Sequence, residues 1–437
     1  MKRGMICIGL ALACLTSKAF LTKVNYNKDK IPPYTLENPL VFRDGTAVRT
    51  PEDWTRRRAE LMELFQSRMY GRLPPKPETL VTELIDEKET CSSFAIRRRV
   101  RMWFKADKTG PFIDWLIVRP KHAARPSPTL IFLNSLGSFQ ILPDKDLTVA
   151  DGFVNELGAA GEPEKRAAVV DRPDMRGGWA NPCSRYHLPI GAVIARGFAV
   201  VTACYYDIAP DPGKVEDRFK NHRRRCFDLW PETVGRDDDT RALMAWGWGL
   251  IRGMDLIEKE PGLDARRVVV TGCSRLGKAA LLAGVYDERF AVVVPNQTGK
   301  GGAPLTKRFY GENVTTEKAK FPHWFTPGYL SHAGHDTEMD FDQHLLLACV
   351  APRALLIQGF NQPWFDTEGE FLAVKAASPV WDVLGVPGLP AGTWPEIYST
   401  AAIGPRLGYV RRDGPHGLWA YDWQWMMDFA EGVFGRP

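Results

Sequence analysis

The sequence predicts a three-layer α/β sandwich built on a mostly parallel central sheet. Three observations carry this. From residue 129 onward, short runs made almost wholly of Val, Ile, Leu and Ala alternate with segments of helical periodicity. Strands apolar on both faces belong to sheets covered by helices on both sides. Near the middle, a strand pattern runs directly into a helix through Ser274, with Gly272 and Gly277 around it. The composition, 44% apolar and 25% charged over 437 residues, leaves ample material for a core and excludes disorder, coiled coil and collagen.

The chain opens with a basic stretch at Lys2 and Arg3, an apolar run over residues 5–15, and the small-residue site Ser17-Lys18-Ala19. This is the layout of a cleaved secretory signal, and the run is too short to span a bilayer. Residues 1–19 are therefore expected to be removed on export to the periplasm or the outside. Cys14 as a lipid-attachment site fits less well, because Ala11 and Leu12 suit that role poorly. Lys2, Arg3 and Lys18 supply three of the five net positive charges. The remaining +2 makes nucleic acid an improbable partner.

Residues 20–90 read as an N-terminal arm packing on the core, with one amphipathic helix over 52–70 that places Trp54, Leu61, Leu64, Phe65 and Met69 on one side and stops at Gly71. Residues 91–437 read as the catalytic domain. Segments 97–105 and 112–118 form an expected antiparallel pair, and 129–133 and 199–203 are buried strands. Then come a helix over 239–258, a strand over 267–271, a helix over 278–285, a strand over 291–294, a helix over 342–350 and a strand over 354–357. Function in such sheets sits at the carboxyl ends of the strands.

Eight cysteines occur, none in a C-x-x-C pair, so a zinc site is improbable while disulfides are compatible with an oxidising compartment. His332, His335 and Asp336 read as a polar loop rather than a metal site, and His344 as a satisfied core histidine.

Gly272-Cys273-Ser274-Arg275-Leu276-Gly277-Lys278 has the context of a nucleophile elbow, in which a strained strand-to-helix turn exposes Ser Oγ and the flanking residues are small because backbones pass closely. The second glycine comes one residue later than in G-x-S-x-G. Attack by Ser requires a base, oxyanion donors and a group that orients the base. His416, in a Gly/Pro turn before the terminal helix, is the expected base. The Arg275 N–H is an expected oxyanion donor, and residues 134–138 are the expected source of a second. Cys273 precedes the turn, and its side chain is expected to point away from the site. No metal or organic cofactor is expected.

The Ser274 segment resembles the signature of the glucuronoyl esterases, carbohydrate esterase family 15. So do Ala245-Trp246-Gly247-Trp248-Gly249-Leu250, Gly299-Lys300-Gly301-Gly302, Gly311-Glu312-Asn313-Val314, Phe321-Pro322-His323-Trp324-Phe325 and Asp413-Gly414-Pro415-His416-Gly417-Leu418. The resemblance spans residues 40 to the C-terminus. It implies an α/β-hydrolase fold and cleavage of esters joining 4-O-methyl-glucuronic acid on xylan to lignin alcohols. It further implies that the Arg275 guanidinium assists the oxyanion, that Lys278 and Glu312 hydrogen-bond the uronate hydroxyls, and that Trp364 packs against the sugar.

The orienting acid departs from the family. Its two usual positions correspond here to Gln297 and Gln362. An amide can accept from His Nδ1 but offers no charge to the imidazolium, so low turnover is expected, with gains on Gln297→Glu or Gln362→Asp. The expected partner is a uronic-acid-containing polysaccharide or its lignin ester, acted on by a monomer. The competing readings are an esterase for another uronate or acyl ester and a carbohydrate-binding protein without turnover.

Overall fold

The computed structural model describes residues 24–156, 176–180, 186–220 and 223–435. The expected signal segment and Cys183 lie outside these.

Among the described residues nine strands form one sheet: β1 Val81–Thr90, β2 Ala95–Trp103, β3 Phe112–Pro120, β4 Ser127–Asn134, β5 Ala199–Cys204, β6 Leu263–Cys273, β7 Val292–Asn296, β8 Ala354–Phe360 and β9 Leu407–Arg412. Their spatial order is β1-β2-β3-β5-β4-β6-β7-β8-β9. The first three and β5 are joined antiparallel, and from β5 to β9 every pairing is parallel. The antiparallel pair expected over 97–105 and 112–118 is β2 and β3, with Val100 opposite Trp115. β1 was not anticipated, because most of its residues are exposed and it lacks the apolar alternation that marks a half-buried strand. The expected division at residue 90 falls at the turn between β1 and β2, neighbouring strands of one sheet.

Side-chain alternation sorts the sheet onto two cores. On β4, Ile131 and Leu133 join one apolar cluster while Leu130 and Phe132 join the other. The larger cluster lies under helices α1 Pro51–Phe65, α2 Ala242–Ile257, α3 Arg275–Tyr286, α4 Gln343–Ala348 and α5 Thr367–Ala377. The smaller is closed by α6 Ala420–Phe434, through Trp423, Met426 and Phe429. α2 is buried along its whole length, as a helix apolar on every face must be. It comes this close because of its glycines: a Cβ at Gly253 would lie 2.5 Å from Trp115.

The arm belongs to this core. A capping box between Thr50 and Asp53 starts α1, and Leu61, Leu64 and Phe65 enter the larger cluster. Arg58 donates to the carbonyls of Cys349 and Val285 at 2.7 and 2.6 Å. None of the cysteines at 91, 204, 226, 273 and 349 is joined in a disulfide, so no disulfide forms among the described residues.

Candidate active site

β6 ends at Cys273 and α3 begins at Arg275, so the entire reversal falls on Ser274, at φ +61° and ψ −127°. A residue with a side chain seldom adopts this backbone, and such strain gathers at functional sites. The turn is held from β7. The Ser274 N–H donates to the Asn296 carbonyl at 2.9 Å, and Asn296 Nδ2 donates to Thr271 Oγ1, the Gly272 carbonyl and the Val294 carbonyl at 2.9, 2.9 and 3.0 Å. Both glycines are obligatory: a Cβ at Gly272 would lie 2.3 Å from the Leu276 carbonyl oxygen, and one at Gly277 2.8 Å from that of Asn296. The late second glycine thus still lets the helix pass close to the strand.

A cavity of about 680 Å³ opens over the elbow, lined among others by Ser274, Arg275, Cys273, Gln362 and His416. One wall is an aromatic ladder, with Phe132 stacked on Trp179 at 5.5 Å and Trp179 on Tyr186 at 5.6 Å. His416 stacks on Phe365 at 4.8 Å and meets the edge of Tyr186 at 6.5 Å. Its loop is fixed by Arg412, which donates to the carbonyls of Asp413, Pro415 and Gly417 at 3.0, 3.1 and 2.8 Å and pairs with Asp422 at 3.0 Å.

The expectation for Cys273 is corrected. Its Sγ lies 3.8 Å from His416 Nε2 and faces the cavity. Strand alternation would turn neighbouring side chains apart, but the left-handed turn at Ser274 breaks the alternation. Gln297 also has partners other than those expected. It is fully buried, its Nε2 donates to the Gly417 carbonyl at 2.7 Å, and its Oε1 accepts from the Gly417 N–H at 3.0 Å. It therefore clamps the backbone beside His416. Gln362 is exposed on the cavity wall.

Arg275 extends to Asp211, a carboxylate with no solvent exposure that forms an ion pair with Arg275 Nη1. Asp211 Oδ1 also accepts from His323 Nε2 at 2.8 Å and Trp324 Nε1 at 3.2 Å, and Oδ2 from the Tyr205 hydroxyl at 3.2 Å. Burial opposes the charge on Asp211, but Arg275 and His323 outweigh it and hold the carboxyl well below its usual range. Burial pushes the His323 imidazole below its usual range, against the opposing pull of Asp211. The Arg275 guanidinium lies 4.9 Å over the Trp324 ring, and Lys278 Nζ lies 5.2 Å from the same ring.

Lys278, Glu312 and Trp364 form an adjoining cluster and are not among the residues lining the cavity. Lys278 and Glu312 are both buried; burial pushes the lysine down and the glutamate up, and their mutual attraction opposes both shifts. Glu317, unnoticed in the sequence, is pushed up to about 8 by burial and by Glu312. The Glu312 N–H donates to the Trp364 carbonyl at 2.8 Å, and Lys320 Nζ lies 4.7 Å over the Trp364 ring. Residues 134–138 do border the site: Ser135 lines the cavity, and Asn134 Oδ1 accepts from the Gly137 N–H at 2.7 Å. His344 is buried in the core as expected but only half satisfied: its Nε2 bonds the Glu37 carbonyl at 2.6 Å, while its buried Nδ1 has no hydrogen-bond partner among the described residues. His335 Nδ1 bonds Glu338 at 2.9 Å, and no cluster of three or more metal-binding side chains occurs among the described residues.

A family model of fungal glucuronyl esterases matches residues 186–385. A carbohydrate esterase of an unknown prokaryotic organism is 33% identical over 409 residues, covering 93% of this chain and 91% of that relative. A promiscuous esterase of carbohydrate esterase family 15 from a marine bacterial metagenome superposes with a TM-score of 0.81 at 32% identity, over 94% of this chain and all (100%) of that one. The chain belongs to carbohydrate esterase family 15. A glucuronoyl esterase from Solibacter usitatus gives the same TM-score, 0.81, at 30% identity and equal coverage of 94% and 100%. Membership carries the α/β-hydrolase fold and makes the protein a carboxylic ester hydrolase of the glucuronoyl esterase family. No helix among the described residues is long and apolar enough to cross a membrane.

Proposed function

We propose that the protein hydrolyses the ester joining the C6 carboxyl of a glucuronic acid residue, carried on xylan, to a lignin-type alcohol. The observation that carries this reading is the meeting of a left-handed elbow serine with Arg275 and His416 on one cavity. Ser274 Oγ attacks the uronate carbonyl while His416 takes its proton. The C=O electrons move onto the oxygen, which is met by the Arg275 N–H at the start of α3 and by the guanidinium that Asp211 holds in place. The tetrahedral species collapses, the C–O bond to the alcohol breaks, and His416 returns its proton to that oxygen. Water then repeats the sequence on the acyl-serine, releasing the free acid and Ser274.

Lys278 and Glu312 bind the sugar hydroxyls in this reading, and Trp364 covers its C–H face. The aromatic wall of the cavity suits an aromatic alcohol. With an amide at both usual acid positions, turnover is expected below that of relatives with a carboxylate there. Residues 1–19 direct export in the same reading, which N-terminal sequencing of the cell-free protein tests.

The reaction itself is tested by rates on benzyl glucuronate and on an acetylated neutral sugar. Faster release from the glucuronate ester is expected, because the reacting carbonyl is then the sugar's own C6. Faster acetyl release would make the protein an acyl esterase instead.

A further inference from the structure

α6 begins directly after the loop that carries His416, and its first turns present Tyr421 outward and leave one part of the half-buried Trp425 uncovered. Tyr398, from the loop before β9, stands against both. Ring centroids are 5.6 Å apart for Tyr398 and Tyr421, 6.1 Å for Tyr398 and Trp425, and 6.4 Å for Tyr421 and Trp425. Tyr421 is 56% exposed and Tyr398 48%. Trp425 is half-buried against the smaller core cluster, whereas the two tyrosines return little to the core, and exposed apolar groupings of this kind mark recognition sites.

Two further features give the patch a direction and a chemistry. Tyr398 sits at φ +64°, a costly backbone for a bulky residue, held by its N–H on the Arg411 carbonyl at 2.8 Å. The strain projects a ring into solvent, where packing does not repay it. Below Trp425 the surface continues into a cavity of about 340 Å³ whose apolar lining, Ile403, Pro405 and Phe429, is edged by Thr400 and by Asp428, the latter paired with Arg196 at 2.8 Å. The patch also adjoins the catalytic site. Arg411 anchors Tyr398, the next residue, Arg412, anchors the His416 loop, and the five residues from His416 to Tyr421 reach at most about 18 Å.

We propose that Tyr398, Tyr421 and Trp425 form a carbohydrate-binding subsite that takes pyranose rings of the same polysaccharide whose uronate ester enters the Ser274 cavity. Aromatic faces match the apolar C–H face of a pyranose, while Thr400, Asp428 and the phenol hydroxyls match its rim. This rests on the esterase reading. It adds that the enzyme grips unesterified backbone beyond the reacting residue.

The test is a Tyr398→Ala/Tyr421→Ala protein, whose changes lie at exposed positions, and separately Trp425→Ala. Each is compared with wild type by electrophoresis through a gel containing ester-free glucuronoxylan, and by rates on a polymer-borne ester and on benzyl glucuronate. Wild type should be retarded by the polysaccharide and the variants not. Activity of the variants on the polymer should fall about tenfold, the scale expected for losing one or two ring stacks, with the small-ester rate unchanged. Equal retardation and equal polymer rates would overturn the proposal. So would a change of oligomeric state with polysaccharide binding intact, which would make the patch a self-association face. A wild type that hydrolyses neither ester but is retarded through these rings would refute the esterase reading and leave the subsite standing.

Discussion

Replacing Asp211 by Asn removes the charge that holds Arg275 while keeping the size of the side chain and an oxygen to accept from His323 and Trp324. Asp211 has no solvent exposure and the Arg275 side chain 32%, so the guanidinium is not stranded when its partner is neutralised. The stability cost should therefore fall well short of the ~3–5 kcal/mol of breaking a fully buried pair, at about 1–2 kcal/mol. The catalytic cost should be larger in proportion. Loss of one preorganised oxyanion donor costs about 10²–10³ in kcat, and a guanidinium that is still present but no longer oriented should lose part of this, about 30- to 100-fold. The assay is steady-state hydrolysis of benzyl glucuronate with a melting curve on the same sample. The expected signature is a fall in kcat with KM within a few-fold, because Arg275 is assigned to the charge that develops on the carbonyl rather than to ground-state binding. A kcat within threefold of wild type would refute the positioning role. A rise in KM with kcat unchanged would move Arg275 to substrate binding.

Three other outcomes follow from the same geometry. Gln297→Glu should lower the melting temperature and fail to raise kcat, because a buried carboxylate would face the Gly417 carbonyl that Gln297 Nε2 now donates to; a faster, equally stable enzyme would contradict the clamp. Gln362→Asp, exposed on the cavity wall, is the change expected to raise kcat, by about tenfold if its charge reaches the imidazolium; an unchanged rate would place the limitation elsewhere. Asp207 is buried, and burial followed by Asp114 pushes its carboxyl from 3.8 up to about 7. Between those values the native state keeps a proton that the unfolded chain releases, so stability falls as pH rises through that window. Melting curves at pH 5 and pH 8 should show Asp207→Asn gaining on wild type at the higher pH, and a constant difference would contradict this.

What the sequence disclosed followed its local patterns. The alternation of apolar runs with helical segments located every parallel strand from β4 to β8, and the elbow was legible because a strand, a serine, two glycines and a helix are contiguous. His416 stood out by its turn before the last helix. The remainder was hidden because it is made by distant partners. Asp211 lies 64 positions from Arg275, and nothing in its local sequence signals that the start of α3, the His323-Trp324 segment and the loop after β5 converge on one buried charge. Asn296, which latches the elbow, and Arg412, which clamps the His416 loop, are likewise ordinary residues until their partners are in place. Cys273 was misjudged because alternation holds along a strand and fails at the left-handed residue that ends it. β1 was missed because an exposed edge strand carries no buried stripe.

The central claim is that Ser274 is the nucleophile of an ester hydrolase, and the close approach of Cys273 Sγ to His416, 3.8 Å from Nε2, supplies its sharpest test. The protein is treated with a serine-directed fluorophosphonate, digested, and the modified residue located by peptide mass mapping. The account predicts one adduct, on Ser274, that is absent from a Ser274→Ala protein and appears in step with loss of glucuronate-ester hydrolysis. Labelling on Cys273, or full loss of activity with Ser274 unmodified, would contradict it.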